Sequence, residues 1–330
     1  MEFENQRLAQ SMVRLFMAYI PSMVIFAAAR LELMDHIGHN GATAEELAQK
    51  IKADAASLHR VMRVLAGLGV LRHEDNDRFY VTPLGATLRK DSPQSVRDYA
   101  VYNHEFVYDA FRSITECVRT GRPAIEDFFS FLRADPQGEA VFHAGMSNRG
   151  RIETAAILDV YKFSQSQTVV DVGGGNGGFL SAILASYEQV SAVLVDQPSA
   201  IEAARAGRGG PLPRCQLVAR DFFEGIPSGG DTYVLKRILF DWTDEQALQI
   251  LQNCRRAMNA DARLLIIEPL IGPPNEPCPA HLFDMTFLVM LHGRLRTVEE
   301  YSSLLNKAGF KLQRVVPTES DVSIVEASVA

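Results

Sequence analysis

From Thr168 onward, short β-rich runs alternate with helical ones. That alternation restricts the C-terminal half of the chain to a parallel sheet joined by crossover helices. The runs read TVVDVG, GFLSAILASY, VSAVLVDQ, PSAIEAARA, CQLVARDFF, TYVLKRILFDW, EQALQILQNCRRAM and RLLIIEPLI. In open sheets of this kind, ligands bind beyond the carboxyl ends of the strands, where the strand order reverses. The residues that follow each β-run are therefore where chemistry is expected.

The first such turn is VVDVGGGNGGF, which follows a strand and opens a helix. Glycines without Cβ atoms let a ligand approach the backbone. Gly173, Gly175 and Gly178 formally satisfy a dinucleotide fingerprint, which alone says little. Asp171 sits two residues before the first glycine. A carboxylate there is unfavourable for a pyrophosphate and suits a ligand that carries an ammonium group. Asp196 lies 21 residues past Gly175, where an acid bonds ribose hydroxyls. Asp221 can accept from an adenine amine, Phe222 can stack on the ring, and Lys236 ends the fourth run at the same rim. Any one of these acids could be a helix N-cap; three on successive strands beside a glycine turn point to a nucleoside site.

The N-terminal third has a different grammar. Thr43 and Glu46 form the pattern of a capping box before AEELAQKI. A second helix follows, with Leu58, Val61, Met62, Leu65 and Leu68 at helical spacing. VLRHEDNDRFYVT then reads as a hairpin, which completes a winged-helix pattern. The net charge of −7 and the absence of a basic stripe favour a structural or dimerisation module over a DNA reader; His59, Arg60 and Arg63 are the cations of the second helix. From residue 89 to about 165 the pattern stays helical, with an aromatic cluster from Tyr99 to Phe131 that reads as core or as the wall of an aromatic pocket. Four dispersed cysteines disfavour a zinc site and suit a reducing, cytoplasmic setting. The apolar stretch Leu15–Ala29 reads as too short for a membrane span and broken by Pro21, hence as a buried helix in a core or a subunit interface.

Taken together, VVDVGGGNG, LVD, RDFF, LKRILFDWTDE, IIEPLI and GRLRTVEEYSSLLNKAGF resemble the class I S-adenosylmethionine-dependent O-methyltransferases of small phenolic and heteroaromatic metabolites. The resemblance spans nearly the whole chain. It implies an α/β fold: a mostly α-helical winged-helix dimerisation and lid domain over 1–165, then a Rossmann-like methyltransferase domain over 166–330. It implies that Gly173, Gly175, Asp196, Asp221, Phe222 and Lys236 hold S-adenosylmethionine, with Asp171 near its ammonium end. It also implies a homodimer through interlocking N-terminal helices, with no nucleic-acid or membrane partner.

The chain departs from that family at the chemistry. The family's segment H-D-W supplies a histidine base; here it reads Phe240-Asp241-Trp242. Glu268 matches the first of two glutamates that orient the histidine in plant-type members, and Leu295 stands where the second would fall. Three readings follow, in order of preference: methyl transfer to oxygen, or to a heteroaromatic nitrogen, by proximity alone; a relocated base, Asp241 or His292; and a non-methylating enzyme, a hydroxylase or pericyclase, on the same scaffold. Asp241 could instead cap the helix that starts near Thr243. Met146, Phe240, Asp284, Met285 and Met290 fall where the family lines its pocket, which points to a flat, largely apolar substrate. No metal-ligand cluster is evident near the rim.

Overall fold

The computed structural model describes residues 2–207 and 212–330. Contacts divide the chain into two compact units, Met1–Asp109 with Asp135–Arg149, and Ala110–Ala134 with Gly150–Ala330. The division is interleaved, unlike the single boundary at 165 expected from sequence. Residues 110–134 join the second unit because the backbone N–H of Ala124 donates to the Val289 carbonyl. The end of the long helix Pro136–Val160 joins it because Ile157 is part of the α/β core.

In the first unit, helices Ala44–Ile51 and Ala55–Gly67 precede an antiparallel hairpin of β1 (Leu71–His73) and β2 (Phe79–Val81). This is the winged-helix arrangement read from sequence. Thr43 and Glu46 close the capping box reciprocally, and Asp54 caps the second helix through the Ser57 N–H. Leu47, Leu58, Met62, Leu65 and Phe79 form its buried centre. The aromatic run divides between the two units: Tyr99, Tyr102 and Phe106 stack in the first, whereas Phe129 stacks on Trp242 in the second.

At the N-terminus, helix Glu2–Phe16 is followed by helix Tyr19–Arg30. Pro21 does not break the second helix; it lies in the first turn, where its missing N–H costs nothing. The apolar stretch is also longer than the sequence reading allowed: Asn5–Arg30 is long and apolar enough to cross a membrane by length and composition. Leu15 and Phe16 are 68% and 61% exposed within the single chain, whereas Ala28 and Ala29 are buried, so its first half is not part of the monomer core.

The second unit is built on a seven-stranded sheet of β3 (Thr168–Val172), β4 (Ser191–Asp196), β5 (Cys215–Ala219), β6 (Thr232–Lys236), β7 (Arg263–Glu268), β8 (Phe310–Pro317) and β9 (Ser323–Val329), ordered β5-β4-β3-β6-β7-β9-β8. The first five strands are parallel, and β9 pairs antiparallel with both β7 and β8. The central strands are buried on both faces, as near-continuous runs such as VLVD and LLIIE require. Strand order reverses between β3 and β6, so the carboxyl ends of those two strands open a crevice. The sequence reading did not assign β8 and β9.

Candidate active site

The glycine turn after β3 is held in place by its neighbours. Gly173 (φ +74°) donates its N–H to the Val195 carbonyl at 2.7 Å, and Gly175 (φ +61°) donates to Asp196 Oδ2 at 2.7 Å. Asp196 Oδ1 accepts from the Gln197 N–H at 2.6 Å. A Cβ at Gly174 would overlap the Asp171 carboxylate, whereas one at Gly175 would meet nothing within 4 Å. The turn therefore closes over Asp171 on one side and leaves an open cradle on the other. Phe222 lies beside Gly173, 3.5 Å from the place of a Cβ there, and meets Trp242 edge-on. Asp221 Oδ1 accepts from the Phe223 N–H at 2.8 Å, which orients the loop that carries Phe222.

Asp171 is 1% exposed, and neither of its carboxylate oxygens has a hydrogen-bond partner among the described residues. Burial pushes its carboxyl up to about 7, against the attraction of Lys236 and with the repulsion of Asp196. A buried, unpaired carboxyl of this kind is costly, which makes it a candidate functional group.

Lys236 is placed at the rim as expected, but its ammonium is already paired with Glu153 at 2.8 Å. The same Glu153, 1% exposed, also takes Arg237 Nε at 2.7 Å. Arg237 has a left-handed backbone (φ +59°), and its guanidinium carbon lies 5.5 Å from the Phe240 and Phe283 ring centres. That conformation turns the chain off β6 into the 238–242 turn. Glu153, on the helix Pro136–Val160, was missed by sequence reasoning because an acid in that long helix looks like solvent-facing charge.

The 238–242 turn carries Phe240, and it is gripped on both of its polar faces. Glu268 Oε1 accepts the N–H groups of Ile238, Leu239 and Phe240 at 3.0, 2.6 and 3.3 Å, and Oε2 accepts from the Tyr301 hydroxyl. Arg296, fully buried, donates to the Leu239 and Trp242 carbonyls at 2.8 and 2.9 Å and to Asp244 at 2.9 Å. Burial raises the Glu268 carboxyl and the Tyr301 hydrogen bond partly offsets the rise. Glu268 thus serves the backbone here, in place of the histidine-orienting role that the resemblance implied. Gly293 passes so close that a Cβ would overlap the Phe240 carbonyl oxygen and lie 2.6 Å from the Asp241 carbonyl carbon.

Phe240 is 4% exposed and packs with Phe287 (ring centres 4.7 Å), Phe283 and Leu295. Asp241 is adjacent; burial first, then the charge of Glu268, push its carboxyl well up, against the pull of Arg237. It does not cap the next helix, because Thr243 does so through a capping box with Gln246. His292 is exposed. Asp284 accepts the Leu295 N–H at 2.7 Å, so it supports the segment behind Phe240. Met290 is 2% exposed and packed, Met285 is half-buried, and Met146 lies in the 135–149 part of the other unit.

Family models match two parts of the chain: an O-methyltransferase domain over residues 111–311, and an O-methyltransferase dimerisation domain over 13–91. A phenazine O-methyltransferase from Lysobacter antibioticus is 37% identical over 98% of each chain. O-demethylpuromycin-O-methyltransferase from Streptomyces alboniger is 35% identical, over 97% of this chain and 89% of the relative. The crystal structure of CalO1, a methyltransferase in calicheamicin biosynthesis in its SAH-bound form, superposes with a TM-score of 0.90 at 32% identity, covering 98% of this chain and 99% of that one.

The grip on the 238–242 turn is testable. Arg296→Met leaves two buried carbonyls and the Glu268 charge uncompensated, so it should lower unfolding stability by about 3–5 kcal/mol in urea titrations. A drop below about 1 kcal/mol would show that the turn holds itself.

Proposed function

Because the chain belongs to the family of S-adenosylmethionine-dependent small-molecule O-methyltransferases, we propose that it methylates a hydroxyl of a small, flat aromatic or heteroaromatic natural product, mainly by proximity and orientation. The observation that supports the proximity reading is that Phe240, where the resemblance puts the family's base, is packed against Phe283, Phe287 and Leu295 while Glu268 accepts three backbone N–H groups. The residues present fit the cofactor: an open glycine cradle at Gly175, an acid at Asp196 for the ribose diol, Phe222 beside the turn for adenine, and the unpaired Asp171 carboxyl for a cation. When bound, S-adenosylmethionine supplies a methyl group on a sulfonium, already a good leaving group.

The protein's share is geometric. Phe240, Phe283 and Phe287 offer an apolar aromatic wall that excludes water, and the clamped turn fixes that wall. Holding the nucleophile at about 3 Å and in line with the methyl carbon can supply several kcal/mol. The oxygen brings its own acidity; a nitrogen with a free lone pair needs no base, which keeps N-methylation as the alternative outcome of the same geometry. Asp241 is a second reading for the base, favoured by its raised carboxyl. The exposed Leu8, Met12, Leu15 and Phe16 of the first helix support pairing of two N-terminal segments in a homodimer.

Three outcomes check this. Asp196→Ala should weaken cofactor affinity by at least tenfold in calorimetry, because the ribose diol loses its acceptor; unchanged affinity removes the assignment. At saturating cofactor, the pH dependence of kcat/KM should shift with the substrate's own pKa across a phenol series; a constant inflection that disappears in Asp241→Asn would instead assign the base to Asp241. Phe240→His should keep methyl transfer within about tenfold in a methyl-label assay and lower stability by about 1–3 kcal/mol, since an imidazole replaces a packed ring; a loss beyond about 100-fold would give Phe240 more than a shaping role.

A further inference from the structure

Ribose and adenine recognition leave the deepest acid of the rim unexplained. Asp171 ends β3 beneath the Gly174 backbone, with both oxygens buried and unpartnered among the described residues. Of the titratable groups that act on it, Lys236 on β6 attracts but is paired with Glu153, Asp196 on β4 is a like charge, and Cys215 on β5 has a thiol pushed up to about 11 and is neutral. No hydrogen bond among the described residues holds the carboxylate in ionised form, and burial outweighs the attraction of Lys236, since an ionised group buried without hydrogen bonds is strongly disfavoured.

We propose that, before the cationic cofactor enters, Asp171 carries a proton in mildly acidic to neutral solution and is driven to give it up to solvent on cofactor binding, so that cofactor binding and proton release are coupled. This rests on the reading of the rim as an S-adenosylmethionine site. The step is an acid dissociation: the O–H bond of the carboxyl breaks, its electron pair stays on oxygen, and the arriving positive charge replaces the lost proton as counter-charge. In the empty protein Asp171 titrates at about 7, inside the working range. The sign follows: above that pH the carboxylate is already formed and the cation binds freely, whereas below it each binding event must first remove a proton. Asp171 in this role positions the cofactor and takes no part in bond making to the methyl group.

The experiment is calorimetric titration of the full-length enzyme with S-adenosylmethionine in buffers of different ionisation enthalpy. The Asp171→Asn enzyme corrects for protons exchanged by the cofactor's own amine. The wild type should release up to about one proton more than the variant, most at pH 6 and least at pH 8, and bind several-fold more tightly at pH 8 than at pH 6. Infrared difference spectra at pH 6 should lose a carboxylic-acid carbonyl band of wild-type enzyme on cofactor addition, one that shifts on labelling with carbon-13 aspartate; this readout stands even if Asp171→Asn fails to bind or fold. Tight binding with no proton release and no acid band lost overturns the coupling and leaves the cofactor site intact. No binding at any pH overturns the cofactor site, and the coupling with it.

Discussion

The active-site half of this enzyme depends on one short turn held by two buried charges. Residues 238–242 leave β6 through a left-handed Arg237 and must expose backbone groups in both senses, N–H on one side and C=O on the other. Inside a packed domain those groups need partners. Glu268 at the end of β7 and Arg296 after the helix Pro279–Met290 supply them from opposite faces, and Tyr301 completes the carboxylate's coordination. Each charge is stable in the core only because the turn exists, and the turn is rigid only because the charges are there. Phe240 inherits its position from this mutual arrangement.

That dependence explains how a phenylalanine at 240 is accommodated without disturbing the fold. A glutamate matching a histidine-orienting residue would be left unpaired if its role had been to hold an imidazole. Here its lone pairs are taken by three backbone N–H groups and a tyrosine hydroxyl. An aromatic ring at 240 then costs nothing in polar pairing and adds an apolar contact with Phe287.

Much of the fold was legible from local pattern, because its signals are local. The capping box at Thr43, the helix–helix–hairpin order and the five parallel strands each announce themselves within a few residues. The glycine turn and the acids after β3, β4 and β5 were legible because strand ends in such sheets converge by topology. What escaped were features fixed by distant pairing. The β8–β9 hairpin lacks a tight turn signal and alternates weakly, with β8 largely open to solvent on one edge. Glu153 and Arg296 look like ordinary surface charges in sequence, yet each is buried by a partner more than fifty residues away. The unit boundary at 165 failed for the same reason: residues 110–134 are helical like their neighbours, and only a contact such as Ala124 to Val289 assigns them. Lys236 was placed correctly, but its ammonium's commitment to Glu153 depends on a helix far upstream.

The two charge arrangements at the rim follow opposite logic, and the contrast gives the site its direction. At the 238–242 turn the N–H groups of Ile238, Leu239 and Phe240 and the carbonyls of Leu239 and Trp242 are satisfied internally, so the backbone there is held and Phe240 presents shape. At the end of β3 the protein leaves a buried carboxyl without a hydrogen-bond partner among the described residues, beneath the Gly174 backbone, while the adjacent Lys236 is paired with Glu153. A positively charged ligand above the glycine turn gains from the negative potential of that carboxyl, whereas a ligand beside Phe240 meets an aromatic ring. A cationic donor on one side of the crevice and a neutral planar acceptor on the other is the pairing that this distribution selects.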